Sequence, residues 1–178
     1  MTTDKRIEDI KKIIRDYQDF PKPGVLFRDV FPVVKDPSCF KKLTDLLVEH
    51  INSLPEKVDV IVGLESRGFI FGPIIAQALN IGFVPVRKAG KLPGELIQVE
   101  YSLEYGKDKF EIQKDAVTEG QKVVVVDDLL ATGGTMKAAC QLMDKVKAKV
   151  LDCLVVIELT DLNGRQKVPY QMSSLIKY

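Results

Sequence analysis

The chain has 178 residues, 46% of them hydrophobic, which is the length of one ordinary globular domain with a sizeable core and too short for a two-domain enzyme. Its 26 Lys and Arg against 25 Asp and Glu leave a formal net charge of +1, so there is no bulk positive charge for nucleic acid, and any anionic partner must be held by a local cluster. The apolar content excludes intrinsic disorder, no run reaches the ~20 apolar residues of a membrane span, and the mixed-charge start MTTDKRIEDIKKIIR is not a secretory signal, so a soluble cytoplasmic protein is expected.

In chain order, Ile7, Ile10, Ile13, Ile14 and Tyr17 recur at helical spacing and predict an amphipathic helix over 3–17. FPKPG at 20–24 ends it, and VLFRDVFPVV is expected to be irregular or extended. Asp36 before Pro37 supplies a cap and first turn for a helix to about Ser53, along the stripe Phe40, Leu43, Leu46, Leu47, Ile51. The pattern then changes: VDVIVGL (58–64) reads as a strand, 67–80 as a helix stopping near Asn80 and Gly82, and GFVPVRK as a strand. KVVVVDD (122–128) is a buried strand, 135–147 a helix, and VLDCLVVIEL (150–159) a strand again. Strands apolar on both faces and separated by helices mean a parallel sheet covered on two sides. Between them, residues 90–115 alternate around a turn at YGKD, as in a β-hairpin or lid, and the C-terminal VPYQMSSLIKY is either a last strand or a subunit contact. The three cysteines have no metal-ligand spacing and read as reduced thiols; His50, the only histidine, reads as a helix-side residue.

The most informative stretch is VVVVDDLLATGGT (123–135): a valine strand, two acids, and a Gly-rich hydroxyl-bearing turn opening a helix. Ligands of open α/β sheets bind beyond the carboxyl ends of the strands, and helix N-termini hold anions on backbone N–H groups. ATGGT therefore reads as a phosphate cradle. It is neither GxxxxGK[ST] nor GxGxxG, which excludes the usual nucleotide and dinucleotide loops. Asp127 and Asp128 beside a phosphate repel it and each other unless each has something to accept, and the 2′ and 3′ hydroxyls of a ribose fit.

Strand, paired acids and TGGT loop resemble the 5-phosphoribosyl-1-pyrophosphate (PRPP) motif of the type I phosphoribosyltransferases. With FPKPGVLFRDV, KDP, GLESRGFIFG, RKAGKLPG and YSLEYGKDKFEIQKDA, the likeness extends over most of the chain from Phe20 to about Thr160 and is similar to the adenine-specific branch of that family. The resemblance implies a central, mostly parallel sheet flanked by helices, a β-hairpin lid at about 94–113 and an N-terminal hood, all in one domain of 1–178. It implies transfer of the phosphoribosyl group of PRPP to N9 of adenine, giving AMP and pyrophosphate. Ala131, Thr132, Gly133, Gly134 and Thr135 would hold the 5′-phosphate, and Asp127 and Asp128 the ribose.

Pyrophosphate would meet Arg67 in the LESRG turn, with Arg87, Lys88 and Lys91, Mg²⁺ bridging its oxygens and Tyr105 closing over it. Leu26, Phe27 and Arg28 would read the base, Phe27 stacking on one purine face and Leu129 closing the other. Glu104 would serve as the lid acid at purine N7, whereas Tyr101 reads as packing. The resemblance further implies a homodimer in which some basic residues cross the interface. A PRPP-sensing regulator of the same fold and a 6-oxopurine phosphoribosyltransferase are the alternatives; the absence of an added nucleic-acid-binding region argues against the first and YSLEYGK against the second.

Overall fold

The computed structural model describes residues 4–103 and 106–178, the side chains at 102, 103, 106 and 107 excepted, in two compact units, Met1–Glu49 and His50–Tyr178. In the first, α1 (Lys5–Ile13) starts at Asp4, whose carboxylate accepts the Arg6 backbone N–H at 2.8 Å. It ends four residues before the sequence pattern suggests. Ile14 is already extended (ψ 132), and Arg15–Gln18 form β1, paired antiparallel with β2 (Leu26–Asp29) from Arg15↔Asp29 to Gln18↔Leu26. Tyr17, which completes the helical stripe in sequence, stays 46% exposed, so the ladder satisfies the backbone there without sacrificing core contacts.

The segment expected to be irregular also contains a short helix, α2 (Phe31–Lys35); Pro32 lies in its first turn, where a missing N–H costs nothing. α3 (Pro37–Asn52) begins as Asp-Pro predicts, with Asp36 Oδ1 accepting the Cys39 N–H at 2.8 Å. Arg6 joins Asp4 to Glu49, and Lys42 joins Asp9, each ion pair at 2.7 Å.

The second unit carries β3 (Val60–Leu64), α4 (Gly68–Leu79), β4 (Gly82–Lys88), β5 (Leu96–Leu103), β6 (Gly106–Gln113), β7 (Lys122–Leu130), α5 (Gly134–Lys145), β8 (Lys149–Glu158) and β9 (Met172–Lys177), with 3-10 turns at Thr160–Leu162 and Gly164–Lys167. One seven-stranded sheet runs β5-β6-β4-β3-β7-β8-β9. From β4 to β9 it is parallel; β6 joins β4 antiparallel, and β5 joins β6 antiparallel. The hairpin thus extends the main sheet; of the turn expected at YGKD, Gly106, Lys107 and Asp108 lie in β6, and Tyr105 lies outside the described residues. The C-terminal segment is the last strand, paired with β8.

Alternation along β7 divides the valines: Val123 and Val125 join the buried cluster of Ala139, Leu142 and Met143 on α5, while Val124 and Val126, equally buried, take the other face. α4 packs on β3, β4 and β7, and stops where Asn80 turns left-handed (φ 54). β3 and β7 are parallel neighbours in the register Val60↔Val123, so their carboxyl ends open onto the same rim. That pairing brings the SRG turn beside ATGGT.

Candidate active site

The cradle is built by the β7–α5 connection. Gly133 caps α5 at φ +79, and no side chain caps the helix, so its first-turn N–H groups face the loop with their positive dipole end. A Cβ at Gly133 would strike the Gly164 carbonyl, and a Cβ at Gly164 would strike the carbonyl of Ala131 and come 2.8 Å from the Gly133 nitrogen. The 3-10 turn beginning at Gly164 therefore braces the loop from behind. Sequence reasoning missed Gly164; its only signal is the Asn-Gly pair at 163–164, which announces a turn and not its neighbour.

Arg67, Asp127, Asp128, Leu129 and the loop residues Ala131, Thr132, Gly133 and Thr135 line one cavity of about 330 Å³ together with Glu65 and Ser66; Gly134 opens α5 beside it. The Glu65–Ser66 peptide is cis. A Cβ on Gly68 would come within 2.6 Å of the Val126 carbonyl, so glycine lets the start of α4 lie directly against β7. Asp128, only 6% exposed, receives Arg67 Nε on Oδ2 at 2.5 Å. Asp127 accepts the Asp128 backbone N–H at 2.9 Å, and its shielding from water, together with the Asp128 charge, pushes its carboxyl well above the usual carboxylate range. The cavity thus holds two acids of unlike character. Among the described residues no group of three His, Cys, Asp or Glu side chains is placed to hold a metal.

The basic loop is organised by carboxylates. Arg87 Nε lies 3.0 Å and Lys91 Nζ 2.6 Å from the two oxygens of Glu65, the Lys88 N–H adds a third contact at 3.1 Å, and Lys88 Nζ reaches Asp108 at 2.9 Å. Burial alone would raise the Glu65 carboxyl; the ion pairs with Lys91 and Arg87 and the Lys88 N–H outweigh it and bring it to about 2. Sequence reasoning passed over Glu65, although an acid just before SRG at the end of a parallel strand is the available signal.

Leu26, Phe27 and Arg28 lie on β2 in the first unit, with the Phe27 ring edge-on to Phe20 at 5.1 Å and Arg28 paired with Asp16. Glu104 and Tyr105 lie outside the described residues. Tyr101 does pack, against Phe110 at 4.8 Å. His50 is more than a helix-side residue: its Nε2 lies 2.6 Å from Oδ2 of Asp152, which has no exposed surface.

Residues 33–176 match the family model described as the phosphoribosyl transferase domain. The chain is 52% identical over 177 residues to adenine phosphoribosyltransferase of Homo sapiens, covering 98% of each, and 50% identical to that of Drosophila pseudoobscura pseudoobscura, covering 100% of this chain and 98% of the other. Among solved structures it is similar to the Saccharomyces cerevisiae adenine phosphoribosyltransferase complexed with D-2,5-dideoxy-2,5-imino-altritol 1,6-bisphosphate and adenine: TM-score 0.94, 47% identity, 96% and 98% of the two chains. The Trypanosoma brucei enzyme in complex with AMP, pyrophosphate and ribose-5-phosphate gives a TM-score of 0.90 at 28% identity, over 97% and 79%.

Proposed function

The chain belongs to the phosphoribosyltransferase family, in its adenine phosphoribosyltransferase branch, and from that premise we infer that it transfers the 5-phosphoribosyl group of PRPP to N9 of adenine, releasing pyrophosphate and AMP in purine salvage. The observation that carries this reading is the cavity in which an uncapped helix start, two carboxylates and an arginine converge. The Ala131–Thr135 loop takes the 5′-phosphate on its N–H groups and hydroxyls. Asp127 and Asp128 accept from the ribose hydroxyls and stabilise positive charge developing at C1′ as its bond to pyrophosphate lengthens.

Arg67, Arg87, Lys88 and Lys91 receive the departing charge. All four already face carboxylates (Asp128, Glu65, Asp108, Glu65), and pyrophosphate oxygens replace those partners, so the cations are oriented before substrate arrives. Phe27, with Leu26 and Arg28, reads the base and Leu129 covers it; Glu104 takes up acidity at N7, and Tyr105 and the hairpin at about 94–113 exclude water, the competing nucleophile.

Mg²⁺ would be held on PRPP oxygens with at most Asp127 and Asp128 added, since Glu65 is engaged by its cations, and it would neutralise charge on the leaving group. A single functional domain, a homodimer and a cytoplasmic location complete the reading; the free thiols Cys140 and Cys153, hydrogen-bonded at 3.6 Å and not joined as a disulfide, suit a reducing compartment.

The test is to incubate the protein with PRPP, Mg²⁺ and each purine base. AMP from adenine is expected, with kcat/KM ~10⁴-fold above that for 6-oxopurines, because a site that pairs the 6-amino group leaves polar groups unpaired with an oxo group. Nucleotide formed preferentially from hypoxanthine or guanine, or none from any base, overturns the reading.

A further inference from the structure

Glu111 lies on β6 with no exposed surface, a position that an acid occupies only when its charge is met. Here it is met by backbone. Oε1 accepts the N–H groups of Lys91 and Leu92, each at 2.8 Å, and Oε2 accepts the Gly90 N–H and the Gln98 side-chain amide, each at 3.1 Å. Burial pushes this carboxyl up, and these four donors outweigh burial and hold it below its ordinary value. The register pairs Glu111 with Arg87 on β4, so the carboxylate sits where the strand gives way to the basic loop.

Three consecutive N–H groups converging on one anion force the backbone to curl around it, with Gly90 at φ +84 supplying the left-handed residue that such a nest needs. The loop thereby places the Lys91 carbonyl 3.3 Å from Arg87 Nη1 and Lys91 Nζ on Glu65. We propose that Glu111 is a positioning residue: an internal anion that shapes the 88–92 loop so that Arg87, Lys88 and Lys91 are set for the pyrophosphate group of PRPP. The proposal rests on the reading that this loop receives pyrophosphate. It assigns Glu111 no contact with substrate, and its negative charge offsets the mutual repulsion of the three cations.

Glu111→Gln keeps the size of the side chain but turns one acceptor into an NH₂ donor facing N–H groups. Pyrophosphate and AMP are titrated separately into wild type and variant by calorimetry, and KM for PRPP is measured. The expected result is a rise of about tenfold in the pyrophosphate Kd and the PRPP KM, with AMP affinity held within about twofold, because the hydrogen bonds of Glu111 go to the 90–92 loop and Gln98 and not to Ala131–Thr135. An unchanged pyrophosphate Kd, or equal losses for AMP and pyrophosphate, overturns the proposal. Should the variant not fold, amide exchange in wild type decides: slowed exchange at Gly90, Lys91 and Leu92 supports the buried nest, and unprotected exchange overturns it. A wild type that forms no AMP defeats the assigned activity instead, so the two failures are distinguishable.

Discussion

Arg67 Nε lies 2.5 Å from Asp128 Oδ2, joining an arginine from the end of the third strand to an acid from the end of the seventh inside a single cavity. The neighbouring acid, Asp127, accepts the Asp128 N–H, and its carboxyl is raised by loss of water and by Asp128. The two substitutions should therefore separate. Asp127→Asn and Asp128→Asn each lower turnover about 10²-fold in an AMP-forming assay, but their effects on stability have opposite signs. A carboxyl raised in the native state binds its proton more tightly there than in the unfolded chain, so its contribution falls as pH climbs from the ordinary aspartate range through the native value. At pH 7 Asp127→Asn raises the urea midpoint, whereas Asp128→Asn lowers it by removing the carboxylate charge that meets Arg67. The same direction for both variants would contradict the assignment.

Glu65 has the opposite linkage. Its carboxyl is lowered to about 2, so its stabilising contribution is complete above its ordinary value of 4.5 and disappears as pH falls from there toward 2. Glu65→Gln should cost about 2 kcal/mol at neutral pH, less than the full shift implies because Arg87 and Lys91 are partly solvated. Urea titrations of both proteins from pH 2 to 7 should converge at the acid end. A gap that persists at pH 2 would locate the loss in packing instead of charge.

Gly133→Ala places a Cβ at positive φ and against the Gly164 carbonyl. Left-handed strain alone is worth about 1 kcal/mol, and relieving the collision must displace the loop. PRPP affinity should fall at least about tenfold, with a lowered Tm; calorimetry showing wild-type PRPP binding would refute the cradle assignment. Gly164→Ala is expected to reproduce the defect from behind the loop.

His50→Leu removes the partner of a fully buried carboxylate, whose other oxygen, Oδ1, has no hydrogen-bond partner among the described residues. A loss of about 2 kcal/mol is expected, below the range for fully buried pairs because His50 is partly exposed. His50→Gln, which can still donate, should recover part of it, and turnover per folded molecule should not change in either variant. Equal midpoints for all three proteins would show that Asp152 needs no partner.

Strands buried on both faces were readable because VDVIVGL and VVVVDD leave no polar face, and the cradle because glycine and hydroxyl residues between strand and helix have few other uses. The end of the first helix was not readable: Tyr17 continues the helical stripe, and only pairing with Phe27, beyond the turn prolines, turns it into strand. The same reason hid Glu65, Glu111 and Gly164. An exposed-looking acid or a turn glycine acquires its role from a strand or loop far along the chain, and spacing within one segment carries no trace of that neighbour.

The pairing of the third and seventh strands has a thermodynamic meaning as well as a geometric one. Residues 65–67 and 127–133 face one cavity only while Val60 stands opposite Val123, so substrate affinity and strand register form a single equilibrium. Bound PRPP weights the assembled sheet by RT ln(1 + [L]/Kd) over every state in which these strands have parted. A slip of one residue would exchange the faces that Asp127 and Asp128 take. The substrate thus acts as a proofreader of its own binding site, rewarding only the alignment that can use it.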